Sequence, residues 1–384
     1  MSDAALDSVE QTLVPFGEGA SALRATIRER IAFYRARAVS LAVIDSFDIV
    51  AARAYFSSET DDPAVVDTST LFQAASISKA VTAMAVMKLL EQQKLTLDEK
   101  VNERLTFWKI PSNQFTENRE VTARQLLSHT AGATVHGFPG YEPGLPLPEL
   151  LQVLDGLPPA NNEAIRIDTV PGTAWRYSGG GFTILQQLLV DVHQKSFPVL
   201  MREVVLDPLA MAGSTFHQPL PENLRERAAP GGLASGEVLP GMFRVHPEMA
   251  AAGLWTTPSD LARFAIELQL STLDRSDRVL SQASSSLMVT PQSVLPIDLA
   301  AFLGSHTGLG IFLNGGEGSR WFSHAGGNAG YLAYMTADFA GHGAVIMTSS
   351  DAFALVLEIL AAIAREYHWQ DFSLPKISNH DANS

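Results

Sequence analysis

Strand-forming sequence lies at the two ends of this chain, and helix-forming sequence punctuated by proline and glycine lies between them. Near the N-terminus, Val39–Ile44 and Asp48–Phe56 are β-branched runs split by Asp45-Ser46-Phe47, which predicts a hairpin. Strand signals return only at Gly308–Leu313, Gly330–Thr336 and Gly343–Ser349. Short glycine-containing turns join them, with no room for crossover helices, so the sheet is expected to be antiparallel. Amphipathic patterns predict helices at both ends, over Ala20–Ala38, from Ser76 to about Lys94 and over Ala352–Tyr367. The middle carries shorter helical patterns at Thr122–Ser128, Leu147–Leu154, Phe182–His193 and Ser259–Leu270, and Ser378–Ser384 reads as a loose tail.

The simplest architecture is α+β. Residues 1–100 and 291–384 build an antiparallel sheet flanked by N- and C-terminal helices, residues 101–290 form an inserted, mainly helical domain, and the active site is expected in the cleft between them. With 384 residues, the chain exceeds what one core usually organises, which agrees with two interlocked units.

Composition narrows the function. The formal net charge of −14 repels polyanions, so nucleic acid and anionic membrane are poor partners. The absence of cysteine excludes disulfides, cysteine nucleophiles, iron–sulfur clusters and cysteine-ligated zinc. Lys88 and Glu358 interrupt the longest apolar stretches, so no membrane insertion is expected. The acidic N-terminus has no apolar signal region, which makes cytoplasm the expected compartment, or periplasm or secretion if a leader was removed. No phosphate-binding glycine loop, HExxH helix or GxSxG elbow occurs, and no metal or organic cofactor is expected.

The positive signal is Ser76-Ile77-Ser78-Lys79. In S-x-x-K at a helix start, the serine and the lysine share one face, one turn apart. A serine hydroxyl needs an adjacent base, and a buried lysine serves when desolvation lowers its pKa toward neutrality. The tetrapeptide is weak alone: Ser373-Leu374-Pro375-Lys376 also fits, but in a proline-containing tail without an apolar stripe. A plain helix N-cap is the competing reading of Ser76.

Five blocks in order settle the context: LFQAASISKAVTAMAVMKLLEQQKLTLDEKV (71–101), ARQLLSHTAG (123–132), PGTAWRYSGGGFTILQQLL (171–189), AAGLWTTPSDLARFAIEL (251–268) and HAGGNAGY (324–331). Together they resemble the serine β-lactamase-like hydrolases, which include class C β-lactamases, DD-peptidases, D-aminopeptidases and family VIII carboxylesterases. The resemblance implies a β-lactamase/transpeptidase-like fold. It implies Ser76 as the acylated nucleophile, Lys79 as its proton acceptor or electrostatic partner and Tyr177 as the relay to the leaving group. A phenol relays a proton in this way only if neighbouring cations hold its pKa down. The backbone N–H groups of Ser76 and Gly327 would form the oxyanion hole, and His324, Gly326 and Gly179 would line the substrate cleft. Ser128-His129 reads as a structural element, and Trp255 and Phe243 as either acyl pocket or core.

Two departures bear on substrate. Gly179 stands where β-lactamases and DD-peptidases place an asparagine that grips the substrate amide, and His324 stands where they usually place a lysine that receives a carboxylate. Both losses favour a small ester over an anionic amide, so a carboxylesterase is the expected activity. A β-lactamase or D-amino-acid peptidase uses the same machinery, and a module that is acylated without turnover is the reading from another class. The sequence leaves oligomeric state open.

Overall fold

The computed structural model describes residues 2–15, 24–57, 66–314 and 321–376. In chain order the strands are β1 (Ala38–Asp45), β2 (Asp48–Phe56), β3 (Phe72–Gln73), β4 (Trp255–Thr256), β5 (Ser293–Val294), β6 (His306–Thr307), β7 (Phe312–Asn314), β8 (Trp321–Asn328), β9 (Tyr331–Asp338) and β10 (Gly343–Ser349). The helices are α1 (Ser2–Gln11), α2 (Ile27–Phe33), α3 (Ile77–Glu91), α4 (Val101–Arg104), α5 (Ala123–Leu127), α6 (Leu150–Asp155), α7 (Gly179–His193), α8 (Phe197–Met201), α9 (Glu222–Arg225), α10 (Met249–Ala252), α11 (Pro258–Thr272), α12 (Gln282–Met288), α13 (Ile297–Leu303) and α14 (Phe353–Glu366).

Eight strands form one antiparallel sheet in the order β2-β1-β10-β9-β8-β7-β6-β5, and β3 pairs with β4 in a separate ribbon. Alternation along the central strands divides the core in two, because successive side chains point to opposite faces. Ala38, Ala42 and Ile44 of β1 with Val345 and Met347 of β10 face the large cluster that also holds α3, α7 and α11. Val39, Leu41 and Val43 with Ala344 and Ile346 face a second cluster formed with α1, α2 and α14. The sheet is thus covered by helices on both sides, and the first and last described helices, α1 and α14, lie on the same face.

Several expectations need correction. Only Ile27–Phe33 of the predicted Ala20–Ala38 helix is helical. Thr26 starts it with a capping box to Glu29, Ala25 instead pairs with Leu13, and Arg35 turns left-handed (φ +52°) ahead of β1; residues 20–23 lie outside the described residues. Of the predicted strand Gly308–Leu313, residues 308–311 form a tight connection between β6 and β7, with Gly310 at φ +75°, and Phe312 and Leu313 belong to β7. Pro146 and Pro148 hold the chain extended, so α6 begins at Leu150. The Ser378–Ser384 tail lies outside the described residues.

One buried ion pair ties the two ends together. The Arg30 guanidinium donates to both carboxylate oxygens of Glu358 at 2.7 and 2.8 Å, and the Tyr34 hydroxyl donates to the same carboxylate at 2.8 Å. The Glu358 side chain is fully buried. Removing one partner would leave the other charge desolvated, so Glu358→Ala is expected to lower the unfolding free energy by about 3 kcal/mol. Urea denaturation followed by circular dichroism checks this; an unchanged midpoint would contradict it.

Candidate active site

The chain enters α3 through Ala75, which adopts φ +47° although it is not glycine. Strain of this kind concentrates where a side chain must be aimed. Ser76 follows at the N-cap position, but its side chain makes no capping hydrogen bond. Its Oγ instead accepts from Lys79 Nζ at 2.9 Å. The helix-cap reading of Ser76 therefore fails on geometry, whereas the neighbouring Ser78 is structural and accepts the Leu254 N–H at 3.0 Å.

Lys79 is buried, and its Nζ also donates to the Ala251 carbonyl of α10 at 2.7 Å. Burial lowers its pKa to about 7. An ammonium denied water gives up its proton more easily, so at neutral pH a large fraction of Lys79 is free amine. Four histidines surround this cation. His129, His136, His246 and His324 are all pushed toward the neutral form, first by burial and then by positive charge that includes the Lys79 ammonium. Lys79 is thus the group in this cluster that titrates near neutrality.

Tyr177 immediately precedes α7. Ser178 caps that helix by accepting the Gly181 N–H at 2.9 Å, and its own N–H donates to His129 Nδ1 at 3.1 Å. His129, itself left-handed at φ +59°, stacks on the Tyr177 ring with centroids 4.4 Å apart. The structural role expected for His129 is therefore to hold the phenol. Lys79 Nζ lies 4.9 Å from the Tyr177 ring centroid, and the phenol interacts with the Ser76 hydroxyl. One sequence-based expectation is reversed here: the Tyr177 pKa is raised by its packed surroundings, not lowered by cations. The phenol rests neutral.

The opposite wall is β8. Strand β7 pairs with it only from Trp321 to Ser323, so from His324 onward that edge of β8 has no strand partner and meets the start of α3 instead. The approach is close enough to demand glycine: a Cβ on Gly326 would sit 2.2 Å from the Ala74 carbonyl oxygen and 3.2 Å from the Ser76 nitrogen. Gly327 follows, exposed in the same pocket as Ser76. Asn328 anchors the strand end by donating to Gln73 at 2.7 Å and to the Ala252 carbonyl at 3.2 Å.

His324 lines this pocket and packs against Phe312, with ring centroids 5.1 Å apart and planes tilted by 50°. Its Nδ1 lies 2.7 Å from the Ala325 carbonyl. A carbonyl only accepts, so Nδ1 carries the proton and Nε2 is a bare acceptor. Burial and Lys79 lower the His324 pKa to about 3. Gly179 stands apart: it is buried against the His136 carbonyl and the Phe138 ring and does not line the pocket, so a side chain there would meet protein and not ligand.

The pocket has a volume of about 400 Å³. Beyond the motif residues it is lined by His136, Trp175 and Phe312, and by Leu299, Phe302 and Leu303 of α13 with Leu332 and Phe353. No Lys, Arg, Asp or Glu lines it among the described residues. Trp255 and Phe243 pack edge-to-face at 5.2 Å in the core. His136, Trp175 and the α13 wall carry no motif of their own from which a role could be read. Trp175 lies inside a motif block two residues before Tyr177, and that proximity was the one available signal. Among the described residues, no cluster of His, Asp and Glu could hold a metal ion, and no helix is long and apolar enough to cross a membrane.

This fold, with a serine, a buried lysine and a tyrosine converging beside a glycine-bearing strand edge, defines the class of serine hydrolases that penicillin-binding proteins share with β-lactamases. The chain belongs to the Beta-lactamase family, whose model matches residues 23–366. Penicillin-binding protein 4 of Amycolatopsis lactamdurans is 28% identical over 277 residues, covering 70% of this chain and 69% of that protein. Protein flp of Staphylococcus aureus (strain MW2) is 24% identical, and the match covers 65% of this chain but only 49% of that protein. Among solved structures, the octameric penicillin-binding protein homologue from Pyrococcus abyssi superposes with a TM-score of 0.71 at 22% identity, covering 88% of this chain and 75% of that one. The β-lactamase/D-alanine carboxypeptidase from Yersinia pestis gives 0.68 at 18%, covering 89% and 97%. The D-amino acid amidase from Ochrobactrum anthropi SV3 gives 0.67 at 19%, with the same coverage.

Behind α10 lies a second buried pair. His246 Nδ1 and Glu248 Oε2 are 4.0 Å apart, and both side chains are almost wholly enclosed. Burial pushes the Glu248 carboxyl up to about 8. The folded chain therefore keeps this proton to near pH 8, whereas the unfolded chain releases it near 4.5. Stability from this group is fully present below pH 4.5 and is lost as pH rises toward 8. Glu248→Gln removes the titration, so its melting temperature relative to the native chain is expected to be higher at pH 8 than at pH 5. Calorimetry at both pH values checks the sign, and a pH-independent difference would refute it.

Proposed function

We propose that the protein is a carboxylesterase acting on small neutral esters through an acyl-enzyme, with Ser76 as nucleophile. One observation carries the choice of substrate. Among the described residues lining the pocket, there is no cation to receive a carboxylate, and the residue in the third motif is a neutral imidazole. An anionic substrate would lose its hydration without gaining a counter-charge. A neutral ester loses little.

In acylation, neutral Lys79 accepts the Ser76 proton as Oγ attacks the carbonyl carbon, and the backbone N–H groups of Ser76 and Gly327 receive the oxyanion. As the tetrahedral intermediate collapses, Tyr177 donates its proton to the departing alkoxide and is reprotonated by the Lys79 ammonium. The neutral resting phenol suits this direction of transfer. Water then attacks the acyl-enzyme and passes a proton through the same pair to Ser76 Oγ, which releases the acid. The names of the relatives suggest the competing substrates, β-lactams and D-amino-acid amides.

A fluorophosphonate probe is expected to label the native chain and not Ser76→Ala. Rates on p-nitrophenyl butyrate, nitrocefin and D-Ala-p-nitroanilide rank the three substrate classes, and nitrocefin or the anilide as best substrate would overturn the ester assignment. Labelling without turnover of any of the three would mark a sensor module instead.

The pH profile tests the base. Below its pKa, Lys79 is protonated and cannot accept, so kcat/KM is expected to fall about tenfold per pH unit below roughly 7 and to level off above it. His324, neutral down to about pH 3, adds no inflection of its own, so the step near 7 is expected to persist in His324→Asn. Lys79→Ala and Tyr177→Phe are each expected to lose about 10²–10⁴ in kcat.

A further inference from the structure

Helix α13 breaks the usual rule for a helix in a folded domain. Of its seven residues, Ile297, Leu299, Ala300, Ala301, Phe302 and Leu303 are apolar and only Asp298 is charged, yet none of the seven is buried. An apolar helix normally packs its stripe against a core. Here Leu299, Phe302 and Leu303 face the cavity that contains Ser76. Ile297 is 92% exposed at the outer end, and Val294 just before the helix is also exposed.

The helix is lightly held. Phe302 packs edge-to-face on Phe353 at 5.2 Å, and the Ala301 carbonyl accepts the Lys376 N–H at 2.8 Å. Pro296 precedes the helix without a side-chain cap, and Gly304 ends it at φ +121°, where a Cβ would lie 2.7 Å from the Leu313 carbonyl oxygen. The cavity is also lined by Leu332, Phe312 and Trp175, which are likewise apolar. The space between these walls is continuous with the nucleophile and, among the described residues lining it, carries no charge.

The geometry points to α13 as the specificity element of the site: Leu299, Phe302 and Leu303, with Phe353 opposite Phe302, form a subsite for an unbranched or aromatic apolar group attached to the scissile ester, and Ile297 and Val294 extend that surface to longer chains. The occupant is the substrate itself. Its apolar group removes from water the side chains that the free protein leaves uncovered, which is why such a helix is kept over the nucleophile. The subsite rests on the neutral-ester reading for its chemistry, but binding can be measured without turnover. Either the acyl or the alcohol portion of an ester supplies such a group.

The test uses Ser76→Ala, which binds without hydrolysing. Calorimetric titration with p-nitrophenyl esters from acetate to hexanoate reads the acyl arm, and titration with acetates from methyl to hexyl reads the alcohol arm. In the arm that occupies the subsite, affinity is expected to rise about fourfold per added methylene, the factor that burying one CH₂ group yields. Adding Phe302→Ser or Leu303→Ser to the Ser76→Ala chain is expected to reduce that factor below twofold. Because neither residue is buried in the core, both variants should fold, and their circular dichroism checks this. A steep series in either arm that flattens in both variants supports the subsite and says which group fills it. Flat series in both arms, or a steep one untouched by the substitutions, overturns it. If the native chain hydrolyses no ester while the binding series stands, the esterase reading fails and the subsite remains.

Discussion

The site depends on a primary amine held where water cannot reach it. Lys79 has the Ala251 carbonyl as one partner and the Ser76 hydroxyl as the other, and its pKa is shifted by burial. Desolvation alone brings its pKa to about 7. A nearby carboxylate would stabilise the ammonium and undo that effect. The neutral histidines around it follow from the same condition, since a second cation in this volume would be charged against both burial and Lys79.

Keeping that amine dry requires backbone to approach α3 more closely than side chains permit. Gly310, in the β6–β7 connection, lies where a Cβ would be 2.4 Å from the Ala83 Cβ, and its N–H donates to the Leu127 carbonyl. Gly326 does the same at the helix start, against Ala74 and Ser76. These two glycines let the sheet edge and the nucleophile helix close on each other. The glycines that open α7 serve a different purpose, packing that helix against the 134–138 loop and leaving Ser178 to cap it.

Local chemistry was legible in the sequence where one segment carries it. The helix that follows S-x-x-K, the strand that carries His324-Ala325-Gly326, the β1–β2 hairpin and the antiparallel sheet were all read correctly as structure. What escaped was whatever depends on two segments meeting. The pocket wall combines α13, Phe353 and His136, which are far apart in the chain and share no periodicity. The long N-terminal helix was overextended because its apolar spacing continues past Thr26, where a capping box sets the true start. Gly179 looked like a vacated substrate handle, but the fold turns that position toward Phe138, so its lack of a side chain concerns packing. The direction of the Tyr177 shift was likewise invisible, because it comes from rings contributed by other segments.

Strand order has a consequence for biosynthesis. Among the described residues, the β1–β2 hairpin joins the rest of the sheet through β10, which lies between β1 and β9 although it follows both of them in the chain. A ribosome that has already released the nucleophile helix from its exit tunnel has still not supplied the strand that unites the sheet. The sheet therefore closes only after β10, Gly343–Ser349, has been synthesised. Until then, the edges of β1 and β9 lack the strand that pairs with both.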